Sequence, residues 1–174
     1  SLSRRRTTLT SWKAARNASA IGPAPITGGQ TPTSFTFPSP VSGRVSAIAI
    51  DPVDSAVFAG GAQGGIWRSL DTGATWVPLT DSLGSLAVGS IAISRTNNNP
   101  GQATIYLGTG EGNYSCDSYG GVGVYKSIDS GANWTGPYGS AQFNNRSVNG
   151  LVVDRANPAH LVAVSGSGVY GVSC

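Results

Sequence analysis

Ser69-Leu70-Asp71-Thr72-Gly73-Ala74-Thr75-Trp76 and, 58 residues further on, Ser127-Ile128-Asp129-Ser130-Gly131-Ala132-Asn133-Trp134 are two copies of one eight-residue pattern. A repeat of that period is one supersecondary unit used more than once, and turn residues set between strand-like runs make the unit an antiparallel sheet. Each position has a task in a hairpin. The carboxylate of Asp71 or Asp129 accepts bonds from N–H groups of its own turn. Gly73 or Gly131 takes the positive φ of the reversal. Ser69 or Ser127 bonds the same carboxylate, and Trp76 or Trp134 opens the next strand and packs beneath the turn.

Working outward, Val45 to Ile50, Val88 to Ile93 and Val148 to Val153 align as three first strands, apolar on both faces as buried inner strands are. Turns rich in Asp, Asn and Pro (Asp51 to Asp54, Thr96 to Gly101, Asp154 to Pro158) lead to second strands at Ala56 to Ala59, Thr104 to Gly108 and Leu161 to Val164. Third strands follow at Gly65 to Ser69, Gly123 to Ser127 and Gly168 to Val172. Fourth strands run from Trp76 to Leu79 and from Trp134 onward. The fold class is all-β: a β-propeller segment of about three four-stranded antiparallel blades, the third incomplete. The blades span about 43–81, 87–138 and 146–174, within a partial propeller over 41–174. Residues 1–40 form a separate N-terminal arm, first basic, then rich in Pro, Gly and Thr.

The octapeptides resemble the Asp-box, or BNR repeat. It occurs in sialidases, sortilin-type receptors, xyloglucan-cleaving glycoside hydrolases, the photosystem II assembly propeller and large secreted bacterial proteins. The resemblance implies a propeller in which the box is a structural staple on the face away from any active site. Propellers close with roughly four to eight blades. With about three, and no Met even at position 1, the sequence reads as a fragment whose partners are further blades of a longer chain or other copies of itself.

Composition fits a turn-rich β protein, with 25 Gly, 10 Pro and 11% charged residues. Arg4, Arg5, Arg6, Lys13 and Arg16 stand in the first sixteen residues without an acid, so the net +3 becomes −2 over the remainder. A nucleic-acid face on the propeller is therefore not expected. No apolar run reaches the length of a membrane span. Ser3-Arg4-Arg5 resembles a twin-arginine export signal, and Ala18-Ser19-Ala20 a cleavage site, but Lys13 and Arg16 occupy the stretch that should be apolar. The segment from Gly22 to Ile26 with Ser42 to Val45 is similar to the opening of secreted bacterial repeat proteins, which implies a secreted or cell-surface location. Cys116 and Cys174 make no metal spacing, and His160 reads as a solvated turn histidine, so neither metal nor cofactor is expected. Sequons begin at Asn17, Asn113, Asn133 and Asn145.

Strand order decides which loops can carry function. The turns between first and second strands share one face with the octapeptides. The opposite face holds Gln63, the connections Asp81 to Ala87 and Thr135 to Ser147, and the loop Gly110 to Gly121, which is about eight residues longer than its counterpart in the first blade. That loop offers Glu111, Asn113, Tyr114, Asp117 and Tyr119, and Arg44 and Arg146 precede inner strands at equivalent positions facing the central funnel. Such a set suits a sugar or peptide ligand, or else the loop only pins itself to its neighbours.

Two functional readings follow. In the first, the chain is a noncatalytic binding or structural scaffold for a protein or carbohydrate in an exported bacterial protein. The alternative is the N-terminal part of an Asp-box glycoside hydrolase, sialidase-like or xyloglucanase-like. No catalytic residue is assigned in the chain. Xyloglucan-cleaving enzymes, by the resemblance, carry an Asp before a Gly-Gly-x-aromatic-Arg run. Gly64-Gly65-Ile66-Trp67-Arg68 keeps that run, with Ala62 where the Asp would lie. Glu111 and Asp117 form the remaining carboxylate pair, on one loop.

Overall fold

The computed structural model describes residues 43–113, 118–154, 157–166 and 168–173. The N-terminal arm, Tyr114, Cys116, Asp117 and Cys174 lie outside the described residues. The first sheet comprises β1 (Val45–Ile50), β2 (Val57–Gly61), β3 (Gly65–Ser69) and β4 (Val77–Pro78). The second comprises β5 (Val88–Ser94), β6 (Thr104–Thr109), β7 (Val124–Ser127) and β8 (Thr135–Tyr138). A single helical turn, α1 (Ser140–Phe143), leads to β9 (Val148–Val153), β10 (His160–Ser165) and β11 (Gly168–Ser173). Every sheet is an antiparallel meander in which each strand pairs with the next in sequence. These are successive blades of a β-propeller, packed through their inner strands β1, β5 and β9.

The strand period of two explains the packing. In β6, Ile105 and Leu107 point to the first blade and Tyr106 between them points to the third, so the strand is buried throughout. One core lies between the first two blades around Phe58, Ile66, Val88, Ile105 and Leu107. A second lies between the last two around Tyr106, Val124, Phe143, Val148 and Leu161. α1, too short to show a helical period in sequence, carries Phe143 into that second core, where its ring meets Tyr170 edge-on at 5.1 Å.

The expectation that all three inner strands are buried on both faces fails for β1. Ile48 and Ile50 are 66% and 62% exposed. Ala47 on the other face packs against the core shared with the second blade, whereas Ile48 lies in a cross-strand row with Ala59, Trp67 and Pro78 on the side away from it. The third blade has the matching exposed face, with Val152, Val162, Val164 and Val169.

Each inner strand carries a register shift near its start: between Val45 and Ala47, between Val88 and Ser90, and where Ser165 and Val164 pair with Val148 and Gly150. The residues passed over are Ser46, Gly89 and Asn149. A bulge turns its extra residue out of the ladder and re-aims it, and here the same device recurs at the same end of three blades.

Candidate functional site

The two ends of the blades differ in kind. At one end the octapeptides form closed polar hairpins. Asp71 Oδ1 accepts from Ser69 Oγ at 2.8 Å and from the Thr75 N–H at 2.8 Å, while Oδ2 accepts from Thr75 Oγ1 at 2.6 Å. Asp129 repeats this with Ser127 Oγ at 2.7 Å, the Asn133 N–H at 2.8 Å and Asn133 Nδ2 at 2.7 Å. Gly73 and Gly131 adopt φ of 98° and 91°, and each donates its N–H to the serine hydroxyl at 2.8 Å. The residues before them, Thr72 and Ser130, are also left-handed, a feature the sequence assigned to glycine alone. Trp76 Nε1 donates to Gly73 O within its own turn, whereas Trp134 Nε1 reaches Leu79 O of the first blade. The second hairpin thus also joins two blades.

The same end holds an ion cluster. The Arg95 guanidinium, in the turn after β5, donates to both oxygens of Asp51 and to Asp54 Oδ2 in the equivalent turn of the first blade. The Arg95 side chain is 8% exposed and that of Asp51 is fully buried.

Proton affinities follow from these bonds. The side-chain and backbone donors of Thr75, with Ser69, hold the Asp71 carboxyl down at about 2. Burial alone raises that of Asp129, but the donors of Asn133 and Ser127 outweigh it and leave it below the ordinary carboxylate value. A carboxyl lowered in the folded state contributes stability that is complete above its unfolded value, 3.8, and is lost as pH falls through the folded value. Acid titration of the chain should therefore lower its stability between about pH 4 and pH 2. At neutral pH, Asp129→Ala should cost about 1–2 kcal/mol by leaving turn donors unpaired, and the variant should lose less on acidification than the parent does. Thermal melts at pH 7 and pH 3 measure both, and equal acid sensitivity in the two proteins would contradict the assignment.

The opposite end is open. The loop from Gly110 to Gly121 is anchored by backbone bonds, Glu111 N–H to Tyr119 O at 2.9 Å and Gly121 N–H to Arg146 O at 2.9 Å. Arg44, just before β1, forms an ion pair with Glu111 Oε2. The Glu111 side chain is 1% exposed, against 44% for Arg44, and Glu111 Oε1 has no hydrogen-bond partner among the described residues. Beside the pair lies a cavity of about 320 Å³, lined by Ser46, Ala62, Gly89, Glu111, Asn113 and Asn149 among others. A neighbouring cavity of about 340 Å³ is lined by Gln63, Leu86, Tyr119 and Gly120 with the chain around them, and Tyr119 is 62% exposed.

The structure therefore brings Glu111, with Arg44 paired to it, and Asn113 to one cavity and Gln63 and Tyr119 to the next. Arg146 is exposed and lines neither; its backbone carbonyl, not its guanidinium, ties it to the loop. Sequence reasoning passed over Ser46, Gly89 and Asn149. The signal was present, since each is the second residue of an aligned inner strand, but a bulge leaves no local mark. Among the described residues no group of three or more His, Cys, Asp or Glu stands together as a metal site would require, and no helix is long and apolar enough to cross a membrane.

These features define a segment of a β-propeller with one closed and one open face. The chain is 31% identical over 132 residues to a xyloglucanase from Paenibacillus sp, an alignment covering 62% of this chain and 12% of that enzyme. In fold it is similar to an ancestral GH74 enzyme, at TM-score 0.54 and 22% identity over 74% of this chain and 17% of that one. It is also similar to the GH74 enzyme of Niastella koreensis, at TM-score 0.53 and 20% identity over 74% of this chain and 20% of that one. No protein-family model matches. The chain thus spans a fifth or less of the length of each of these relatives.

Proposed function

We propose that the chain is a set of adjoining blades from a xyloglucanase-like, exported glycoside hydrolase, and that its open face receives a β-glucan chain. The observation that carries this reading is the pair of cavities lying side by side on one face, one polar and ionic, the other with an exposed tyrosine. The sequence likeness to a xyloglucanase favours this reading over a pure scaffold. The octapeptides are, in this reading, Asp-boxes that staple the far face, in blades bounded at about 43–81, 87–138 and 146–174 behind an arm of residues 1–40.

In this reading the described residues of the open face supply walls: Ala62 has no ionisable group, Glu111 Oε2 is paired with Arg44, and the catalytic carboxylates are assigned to other blades. The apolar faces around Ile48 and around Val162 and Val169 suit such blades, or other copies of the chain. Isothermal titration of the full chain with xyloglucan oligosaccharides is the test. Binding is expected, and Tyr119→Ala should weaken it by about 2- to 10-fold, the equivalent of the ~0.5–1.5 kcal/mol that an aromatic stacking contact adds beyond burial. Absence of binding by the parent chain, or undiminished affinity in Tyr119→Ala, overturns the reading.

A further inference from the structure

We infer that the Arg44–Glu111 pair and the three bulged residues Ser46, Gly89 and Asn149 form a subsite for one neutral sugar ring, held by hydroxyl donation to the Glu111 carboxylate. This rests on the β-glucan reading and gives it a specific anchor.

Three independent features converge on the cavity. The first is its construction. Ser46, Gly89 and Asn149 come from three different blades, each re-aimed by a bulge at the same strand position, and all three line one cavity. Ser46 Oγ also donates to Val88 O at 2.6 Å and so fixes the first blade against the second at this point. The strand side of the cavity exists because the sheets pack in propeller order, and the long loop closes it with Glu111, Gly112 and Asn113.

The second feature is the unbalanced carboxylate. Glu111 Oε2 is paired with Arg44, but Oε1 is buried without a partner among the described residues. Buried acceptors in native proteins are bonded in the great majority of cases, and an exception calls for a donor from elsewhere. The last torsion of a glutamate is soft. A turn of the carboxylate, which moves both oxygens together, can present one of them to the cavity that Glu111 lines.

The third feature is charge. Glu111 is the sole carboxylate among the residues lining the cavity, and Arg44 neutralises it, so the site holds no surplus of either sign. An anion would meet Glu111 and a cation would meet Arg44. A neutral polyol meets a charged acceptor and the carboxamides of Asn113 and Asn149, a donor and acceptor set suited to hydroxyls. At about 320 Å³ the cavity has room for one sugar ring.

The test is calorimetry of the full chain with cellotetraose and with a xyloglucan heptasaccharide, together with thermal melts. Glu111→Gln keeps the shape and an acceptor but removes the charge, and should weaken binding by about tenfold, as loss of a charged hydrogen bond does. Ala62→Leu adds volume at another lining residue, leaves both charged side chains in place, and should weaken binding at least as much, so the inference stays testable if Glu111→Gln fails to fold. If the parent binds and Tyr119→Ala is weakened while Glu111→Gln and Ala62→Leu bind as the parent does, the subsite is wrong and the open-face reading stands. If the parent binds neither sugar, the β-glucan reading falls and takes the subsite with it. Calcium chloride raising the melting point of the parent but not of Glu111→Gln would assign the cavity to a cation and overturn the inference.

Discussion

Arg95→Ala should destabilise the chain by about 3–5 kcal/mol, the cost of removing one partner from a buried ion pair. Arg95 Nε lies 2.8 Å from Asp51 Oδ1, its Nη2 bonds Asp51 Oδ2 and, at 3.1 Å, Asp54 Oδ2, and its Nη1 donates to Asn99 O at 2.6 Å. Without the guanidinium, Asp51 stays fully buried with the Val53 N–H as its remaining side-chain donor, at 3.0 Å. The desolvation of that carboxylate is then uncompensated, and the turns of the first two blades lose their link. Arg95→Lys should recover only part of the loss, because a single ammonium cannot reproduce a planar fork shared among two carboxylates and a carbonyl. Urea unfolding followed by tryptophan fluorescence reads the effect as a shift in midpoint at constant slope. A loss below about 1 kcal/mol would mean that water reaches the cluster and that the pair behaves as a surface one.

The cluster also marks where the sequence stops being legible. The octapeptides could be read largely residue by residue because the bonds to their Asp and Ser side chains run between positions at most four apart, as from Ser69 and Thr75 to Asp71. The bonds that Ser130 and Trp134 make beyond the hairpin could not be so read. Third strands were located to within a residue, since β3 spans Gly65–Ser69 and β7 Val124–Ser127, both fixed by the turn that follows. Second strands ran longer than expected, with β2 ending at Gly61, because cross-strand pairing continues past the apolar residues that mark a strand in sequence. Asp51 and Arg95, 44 residues apart, leave no local trace. Their relation emerges only once the blades are superposed, which places opposite charges in equivalent turns.

The candidate face was legible in a similar measure. Loop length pointed to Glu111 and Tyr119, and strand alignment pointed to Arg44. What composition cannot say is which of these side chains meet. Arg44 pairs with Glu111, 67 positions away, while Arg146, its counterpart by alignment, contributes a backbone carbonyl to a bridge with Gly121. The difference follows from position: Arg44 has the long loop of the next blade beside it, and Arg146 is itself the residue on which that loop is hung.

Gly89→Ala should be nearly as damaging as Arg95→Ala, at about 3 kcal/mol or somewhat more, which is the upper range for forcing volume into a packed site. A Cβ at Gly89 would lie 2.4 Å from Val148 O and 2.5 Å from Gly110 O. Both neighbours are backbone, so no side chain can swing away. Val148 belongs to β9 of the third blade, where Ser90 Oγ already bonds its carbonyl at 2.7 Å, and Gly110 opens the long loop, tied to Ala87 O at 2.8 Å. The methyl group must therefore part the second blade from the third or lift the loop from both. Gly150→Ala is the control, in the adjoining inner strand. A Cβ there meets Val164 Cβ at 3.6 Å, an ordinary contact, and the change should be neutral or stabilising by up to about 1 kcal/mol through loss of unfolded-state freedom. Gly89 also lines the cavity beside Glu111, so Gly89→Ala should weaken sugar binding even under conditions where the variant remains folded. Urea midpoints of the two variants compare the strands directly. Equal stability would mean that the inner strands do not approach as closely as the Cβ distances at Gly89 require.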